Sequence, residues 1–546
     1  MKRSQKVRLI LGDVDTIKAF VFESSSLPDI RGGSELLVEL EKEVRCLLKR
    51  HTEQDMDLIY CGGGSFLAIV PSEAAESLKS QIERLYIDKT QTATITVVFS
   101  EPIDRTDLDK GIPPHDEQTI KNLSAKGVAD DLLFSHFDAL LASGNRTERK
   151  NFGEWVALLS SELQMAKRQK EIAPFFPTLP VHERCQACGK RPASQQDEMR
   201  GELLCDVCFK KRTFGRRERR EFVKCFALYA SEKCGLNLAD AEKRIPKDLD
   251  TLAGSDGRIA FLYADGNNMG DLLQRMKTPE DYRSLSSALS DATKESLFEA
   301  ILKTFGKSLL ENPNQPLPFE IIAIGGDDVA IIVPARYGWE LALNFLEAFE
   351  THEQIQNLKQ THGQITISAG LVIADVKYPV RFMMDLAEGL LKRAKRLARD
   401  VKESTICHLW LRAPIASEDA NAILSALYHR KTGKQERWLT ARPFTLQKAK
   451  RLTKITKKLR ELPKSQQRTL AEALNKGVKT SLNLALYQAA KRKGEREKLL
   501  KVFSKLGELV EDGNKCDGMF FWRLKDGVWQ TAILDALELL ELGVGT

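Results

Sequence analysis

Residues 319–334 have the sequence FEIIAIGGDDVAIIVP, in which two apolar runs flank Gly325, Gly326, Asp327 and Asp328. Two short β-branched runs separated by a glycine-bearing turn predict a β-hairpin. Its turn carries two adjacent carboxylates, which repel each other unless they share a cation or a proton. Adjacent acids are also common as solvated turn residues, so a predicted site needs a further acid nearby.

A third acid follows another predicted strand upstream. Residues 258–263 (RIAFLY) predict the strand, and the segment ADGNNMG (264–270) comes directly after it. Three acids on adjoining strands suit nucleotidyl transfer with two Mg²⁺ or Mn²⁺ ions. We predict Asp265 and Asp327 as bridging catalytic ligands, and Asp328 as a further ligand or an orienting group.

Small and amide residues beside these acids are the predicted nucleotide contacts. A strand end that leads into a helix can offer backbone N–H groups to a triphosphate and a carbonyl to a metal. The residues in this position are Gly266, Asn267, Asn268 and Met269. Gly325 and Gly326 let the hairpin backbone approach the nucleotide. Asn267 and Asn268 have an alternative role as helix caps.

Four cysteines have the spacing of a structural zinc site. Cys185 and Cys188 form one CxxC pair, and Cys205 and Cys208 form the second, with sixteen residues between the pairs. This spacing fits a closed tetrahedral Cys₄ site with a structural and not a catalytic role. We expect the remaining cysteines to be ordinary core residues.

Length and composition indicate a large protein of several domains. The chain has 546 residues, 42% hydrophobic and 29% charged, with a net charge of +7. Three or four domains are expected at this length. No apolar run approaches the length of a membrane span, so we expect a cytoplasmic protein whose cysteines are not paired as disulfides.

The N-terminal region repeats the plan of residues 256–376. Residues 7–13 predict a strand ending in an acid, and residues 58–71 (LIYCGGGSFLAIVP) predict a second hairpin. Alignment of the two hairpins from their prolines sets Gly64 and Ser65 against Asp327 and Asp328. The first copy therefore lacks the turn carboxylates. The element order suggests two ferredoxin-like sheets in an α+β fold.

At this point the sequence resembles a known family. The Gly-Gly-Asp-Asp hairpin, Tyr263–Gly270 and Ser368–Leu371 look like a palm domain of the GGDEF/adenylyl-cyclase type. Two such domains flanking a four-cysteine module resemble the large subunit of type III CRISPR effector complexes, the Cas-ten family. The runs Asp13–Phe22 and Leu27–Leu37 also look like that family's first palm.

The resemblance implies an activity and its partners. Such subunits join ATP through 3′–5′ bonds into cyclic oligoadenylate second messengers when the complex binds target RNA. It implies other effector subunits, guide RNA and target RNA as partners, and a helical C-terminal domain. Lys395 matches the helix lysine of related cyclases that neutralises terminal phosphates. In the first palm, Ser34, Gly63 and Gly64, with the neighbouring glycines 32, 33 and 62, are candidates for holding a second ATP.

One departure concerns the nuclease of many family members. Those members begin with a histidine-aspartate nuclease domain, whereas this sequence opens with the first palm. His115-Asp116 follows two prolines in loop-like sequence without a metal-binding helix, so we expect no DNA cleavage.

Three basic stretches are predicted RNA contacts, with solvated helix faces beside an acidic partner as the alternative. They comprise Lys210–Arg220, Lys448–Arg460 and Lys491–Lys493. The predicted domains are a first palm (1–110), a helical connector (111–180), a zinc module (181–250), a catalytic second palm (251–410) and a helical C-terminal domain (411–546).

Two other functions fit the sequence. A free-standing enzyme could make a cyclic dinucleotide without guide RNA, and a scaffold could organise subunits on RNA without synthesis. The acids of the second palm argue against the scaffold, and the basic C-terminal region favours the complex-bound enzyme.

Overall fold

The computed structural model describes most of the chain. The described residues are 6–52, 54–112, 151–170, 178–217, 221–238, 240–273, 275–415, 417–433, 435–491, 496–510 and 518–544. Several predictions fall outside them: the pair His115-Asp116, most of the proline-rich linker before the zinc module, Arg219-Arg220, Arg492-Lys493 and Cys516.

The first region is an antiparallel sheet with three helices. Its strands are β1 (Lys6–Val14), β2 (Leu58–Gly62), β3 (Ser65–Pro71), β4 (Ile95–Phe99) and the short β5 (Ile103–Asp104). Its helices are α1 (Ile17–Val21), α2 (Leu27–His51) and α3 (Ala75–Thr90). The strand order is β2-β3-β1-β4, and β5 pairs with the other end of β1.

A small module follows this sheet. It contains helix α4 (Phe152–Gln169), strands β6 (Gln195–Gln196) and β7 (Leu203–Leu204), and helices α5 (Asp206–Arg216) and α6 (Glu221–Cys234). Helix α4 packs on β1 and β4. Residues 111–180 were predicted as a helical connector. The packing of α4 shows that this helix covers one face of the first sheet.

The second large sheet contains the predicted acids. Its elements are α7 (Leu249–Ala253), β8 (Arg258–Gly266), α8 (Met269–Leu273), α9 (Pro279–Leu310), β9 (Glu320–Gly325), β10 (Asp328–Pro334), α10 (Ala335–Thr351), α11 (Glu353–His362), β11 (Ile367–Asp375), α12 (Val380–Val401) and β12 (Thr405–Trp410). Helix α9 is kinked at Gly306. The central strands are apolar and buried, as in Ile259–Ala264 and Val329–Val333, because helices and neighbouring strands cover them.

The C-terminal region combines helices with short strands. Its elements are α13 (Ala420–Tyr428), β13 (His429–Thr432), β14 (Gln435–Trp438), β15 (Phe444–Thr445), α14 (Leu446–Leu459), α15 (Lys464–Lys476), α16 (Val478–Ala490), α17 (Arg496–Glu508), β16 (Gly518–Met519), β17 (Trp522–Lys525), β18 (Val528–Gln530) and α18 (Ile533–Glu541). The strand order is β13-β14-β18-β17-β16 in one sheet, while β15 pairs with β12. A helical domain was predicted for residues 411–546, and these strands of two to four residues are too short to show a period in the sequence.

The two large sheets repeat one plan, as the sequence predicted. Each has the chain order strand, helix, hairpin, helix, strand, and β11-β8-β10-β9 repeats the order β4-β1-β3-β2. Gly62 pairs with Ser65 in the first hairpin, and Gly325 pairs with Asp328 in the second. The alignment of Gly64 and Ser65 with the two turn acids is therefore confirmed.

Helix α2 joins the two sheets along the edge strand β9. The Arg31 guanidinium makes a two-pronged ion pair with Glu320, with N–O distances of 2.6 and 2.5 Å, and both side chains are 6% exposed. One turn along, the Ser34 hydroxyl donates to the Ile322 carbonyl. Tyr60 of the first sheet also stacks on Tyr282 of α9, with ring centroids 5.9 Å apart.

The same helix packs closely on α5 of the small module. A Cβ on Gly32 would lie 1.8 Å from the Lys211 carbonyl oxygen, so the two helix backbones touch. Arg212 is almost fully buried and donates to Asp29 at 2.7 and 2.9 Å, and Lys211 is buried against the Phe20 ring. The predicted RNA contact is wrong for Lys211 and Arg212, because both side chains are buried and bonded to other groups of the protein.

A buried charge network attaches the C-terminal region to the second sheet. Arg442 is fully buried and pairs with Asp535 at 2.6 Å and with Glu538. It also donates to the His408 carbonyl on β12 at 3.0 Å. Among the described residues, none of the helices has both the length and the apolar character required to cross a membrane.

Arg31→Ala should destabilise the protein strongly. The change leaves the Glu320 carboxylate buried without its cation, so we expect the free energy of unfolding to fall by about 3–5 kcal/mol in urea titrations. The control is Lys377→Ala, which removes an exposed pair with Asp250 and should change the free energy of unfolding only slightly. Equal effects of the two changes would contradict a joining role for the buried pair.

Candidate active site

Strand register places the predicted acids next to one another. Asp265 is the penultimate residue of β8, and Asp328 is the first residue of the neighbouring strand β10. Ala264 pairs with Val329, so Asp265 and Asp328 occupy the next positions along the two antiparallel strands. Asp327 lies in the turn before β10, where Gly326 has a φ of 60°.

Two of the three carboxyls influence each other, because the charge of Asp265 raises the pKa of Asp327. Lys395 of α12 donates to Asp265 Oδ2 at 2.5 Å and to the Gly266 carbonyl at 2.7 Å. The predicted lysine therefore lies against the acids, where a polyphosphate could compete for its charge.

Burial and repulsion between neighbouring carboxylates raise the pKa of both turn acids, Asp327 and Asp328. Burial, followed by the Asp265 charge, raises the pKa of Asp327 to about 7, and Lys395 opposes this rise. Burial, then the charges of Asp327 and Asp265, raise the pKa of Asp328 to about 8. Carboxyls of this kind bind a proton or a metal cation in preference to remaining as bare anions.

The first sheet contributes to the surroundings of Asp328. Lys18 of α1 lies 4.7 Å from the centre of the ring of Tyr263, which precedes Asp265 by two residues on β8. Lys18 also pairs with Glu388 of α12 at 2.7 Å. The charge of Lys18 and the Tyr263 hydroxyl group both lower the pKa of Asp328, against the larger effects of burial and neighbouring acids.

A cleft of about 560 Å³ opens between the two hairpins and contains the acids. Its wall on the first sheet includes Arg45, Lys49 and Gly63, and its wall on α9 includes Ser286 and Ser290. Cations, hydroxyl groups and four carboxyl groups, including Asp291 of α9, thus line a space large enough for a small ligand.

The two hairpin tips touch at glycines. A Cβ on Gly325 would lie 2.5 Å from the Cα of Gly63, and one on Gly63 would lie 3.3 Å from the Cα of Gly325. Gly63 itself has a φ of 65°, which favours glycine. Side chains at either position would separate the two tips and change the shape of the cleft.

The comparisons with known proteins agree with this geometry. Residues 258–403 match the family model for Cas10/Cmr2, second palm domain. This part of the chain belongs to the Cas10/Cmr2 family. The resemblance stated from the sequence is thereby confirmed for the second palm domain. No curated protein matches the chain.

Solved structures share the fold of this Cas10/Cmr2-type chain. A Csm1–Csm4 cassette in complex with pppApA is similar over 100% of this chain and 70% of that chain, with 14% identity and a TM-score of 0.53. A Csm1–Csm4 cassette in complex with AMPPNP gives the same coverage, 15% identity and a TM-score of 0.52.

The remaining predicted nucleotide residues lie in different surroundings. Asn267 is held by Thr366 and Ser368 through three hydrogen bonds of 2.9 Å, and Met269 is buried at the start of α8. Asn268 is exposed, with a φ of 56°. Gly326 and Gly63 line the cleft, and Gly64 does not. The Gly64 carbonyl accepts a hydrogen bond from the Val14 backbone N–H.

Ser34 and Gly32 lie away from the cleft. The Ser34 hydroxyl is 8% exposed and bonded to β9, and Gly32 packs against α5. These placements give no support to the prediction that they hold a second ATP, because glycine and serine in α2 serve helix packing instead.

The first sheet contains a counterpart of part of the acid site in altered form. Asp13 pairs with Ser65 in the sheet, at the position that corresponds to Asp265. Lys167 of α4 donates to Asp13 Oδ2 at 2.5 Å and to the Val14 carbonyl at 3.0 Å. This arrangement repeats the contacts of Lys395 with Asp265 and Gly266, so α4 takes the place of α12.

The four predicted zinc ligands come together. The sulfur atoms of Cys185, Cys188, Cys205 and Cys208 lie within 4.8 Å of one another. Arg191 donates to Cys205 Sγ at 3.2 Å and pairs with Glu23 of the first palm. Among the described residues, no set of three or more carboxylates is as closely spaced as these four thiols. The acids of the second palm are more widely spaced.

Several contacts of this site were not predicted. Lys18 and Arg45 reach the acid site from helices that are distant in sequence, and Tyr263 lies beside it on β8. Tyr263 directly precedes the predicted segment 264–270, and its alternation with Asp265 along β8 was the one available signal.

Gly325→Ala should separate the hairpin tips. The added methyl group overlaps the Gly63 backbone, so we expect about 1–3 kcal/mol of destabilisation and a lower melting temperature in calorimetry. The control is Gly270→Ala, where the methyl group has open space and a small gain is expected. A stable Gly325→Ala protein would show that the tips do not pack as closely as described.

Proposed function

We propose that the second palm is a metal-dependent nucleotidyltransferase that joins ATP through 3′–5′ bonds into cyclic oligoadenylates. The observation that carries the proposal is the convergence of Asp265, Asp327 and Asp328 with Lys395 on one cleft. In this proposal the protein acts as the large subunit of a type III CRISPR complex.

The donor set fits two hard divalent cations. Asp265 and Asp327 would bridge Mg²⁺ or Mn²⁺, since carboxylate oxygens are preferred by both ions. Asp328 would complete or orient the ligand set. When bound, such ions lower the pKa of a ribose 3′-OH and neutralise charge on the α-phosphoryl group and pyrophosphate.

The protein's own groups would bind and orient the nucleotides. Lys395 can release Asp265 to a metal and take a phosphate oxygen in its place, since Nζ offers three donors. Arg45 and Lys49 on the opposite wall supply positive charge for a second triphosphate. Ser286, Ser287 and Ser290 offer hydroxyl groups to bases or riboses.

The proposed substrate class is supported by the solved structures of similar fold. Their complexes contain pppApA and the ATP analogue AMPPNP, and both were solved with a Csm4 subunit. We propose ATP as substrate, a Csm4-like subunit as partner, and guide and target RNA as further partners.

The proposed RNA contact lies in the C-terminal region and excludes α5. Arg451, Lys454 and Lys457 form an exposed face of α14. Lys458 of α14 and Lys498, Lys501 and Lys505 of α17 line one groove of about 360 Å³. Clustered cations along a groove suit a phosphate backbone.

The proposed domain division changes the predicted one in two places. Both palms are interpreted as ferredoxin-like, with the ranges 1–110 and 251–410 as their main parts. Helix α4 joins the first palm, and β15 extends the second palm sheet beyond residue 410. The region 181–250 remains the zinc module, and 411–546 is mixed helix and strand.

The four-cysteine cluster is proposed to hold structural zinc. We expect about one zinc ion per purified chain by mass spectrometry of metals, and almost none in Cys188→Ser. Cys225→Ser, which changes a cysteine outside the cluster, should retain the metal. Full zinc content in Cys188→Ser would contradict the assignment.

The activity itself is tested with ATP and Mn²⁺, in the presence and absence of RNA-bound partner subunits. We expect cyclic oligoadenylate by mass spectrometry, and at least a hundredfold less from Asp327→Ala/Asp328→Ala, because the metals lose their ligands. The control is Asp400→Ala/Glu403→Ala, which removes two exposed acids near the end of α12.

The other outcomes would identify other functions. Equal product from the Asp327→Ala/Asp328→Ala protein would remove these acids from the mechanism. A cyclic dinucleotide made without RNA would indicate a free-standing enzyme. Absence of product with target RNA bound would favour a scaffold.

A further inference from the structure

Helix α2 of the first palm holds the tip of the first hairpin. The Glu41 carboxylate lies against the tip, with its Oε1 3.8 Å from the position that a Cβ on Gly62 would take. The backbone N–H groups of Gly63 and Gly64 lower the pKa of Glu41, against the larger effect of burial. Four residues along the same helix face, Arg45 lies 4.0 Å from Glu41 and donates to the Cys61 carbonyl. A carboxylate beside backbone N–H groups attracts them and so restrains the position of the turn.

The position of this tip sets the position of the acid hairpin. Gly63 touches Gly325 backbone to backbone, with no side chain between them to absorb a shift. Gly326, Asp327 and Asp328 follow Gly325 directly. A movement of the first tip is therefore transmitted to both turn acids.

Asp265 is held by a separate set of contacts. It belongs to the central strand β8 and is bound by Lys395 of α12, and neither element includes the hairpin tip. The distance between Asp265 and Asp327 thus depends on where the β9–β10 turn rests. Metal ligands need placement to within a few tenths of an ångström.

We infer that Glu41 is a positioning residue for the Asp327–Asp328 pair and acts through the contact between Gly63 and Gly325. Glu41 is not among the residues lining the cleft, so it acts on the acids and not on a bound nucleotide. This inference rests on the proposed function, since it concerns the same metal site.

The test compares four variants of the full chain by Mn²⁺ titration, followed by electron paramagnetic resonance without nucleotide. Glu41→Ala should weaken Mn²⁺ binding about tenfold, the lower end of the effect of groups that orient metal ligands. Glu41→Gln keeps an acceptor oxygen at the same reach and should recover most of the affinity. Glu41→Asp keeps the charge but withdraws it by one methylene, so an intermediate loss is expected.

The matched control is Glu43→Ala on the same helix. Its carboxylate pairs with Lys89 of α3 at 2.9 Å on the surface, so Mn²⁺ affinity should be unchanged. In the RNA-bound complex, Glu41→Ala should lower kcat about tenfold with little change in KM for ATP, since the nucleotide contacts remain.

Mn²⁺ affinity of Glu41→Ala equal to that of the unaltered chain would overturn the inference. If Glu41→Ala does not fold, Glu41→Asp decides the matter, and unchanged affinity in that variant overturns it as well. Failure of the proposed function is recognised separately, because the unaltered chain would then bind no Mn²⁺ that is lost in Asp327→Ala/Asp328→Ala.

Discussion

The backbone contact between Gly63 and Gly325 determines how the two palm sheets face each other. It lies at one end of β9, and the buried pair of Arg31 and Glu320 lies at the other. Strand β9 is the edge of the second sheet, and α2 covers that edge. Contacts at both ends of β9 keep this edge strand from shifting relative to α2. The turn acids Asp327 and Asp328, which follow β9, therefore stay on the cleft.

The charges of the cleft are arranged so that neither wall is neutral by itself. The second palm supplies four carboxyls, including Asp291 and the two turn acids with raised pKa, and helix α2 supplies Arg45 and Lys49. A ligand that combines divalent cations with polyphosphate has groups of both signs to match the two walls. In the proposed function, the first sheet and its helices thus complete the site although their own hairpin lacks acids.

The sequence predicted the parts of this site that depend on local pattern. The two hairpins, the strand before Asp265 and the four-cysteine spacing are found where the residues indicated. Lys395, predicted from resemblance to related cyclases to neutralise terminal phosphates, lies against Asp265 in the structure.

The errors concern contacts between residues distant in sequence. Lys211 and Arg212 have the pattern of a basic surface, but their partners Glu23 and Asp29 lie more than 180 residues away. Lys167 was placed in a connector for the same reason. Composition shows that a charge is present, whereas only the fold shows which charge it meets.

The matched contacts of Lys167 with Asp13 and of Lys395 with Asp265 have a consequence for how such a chain can change. In a symmetric dimer of identical subunits, every substitution occurs twice, and both sites gain or lose acids together. Two copies within one chain are free of that restriction. One half can give up its turn carboxylates and become a support, while the other half retains them.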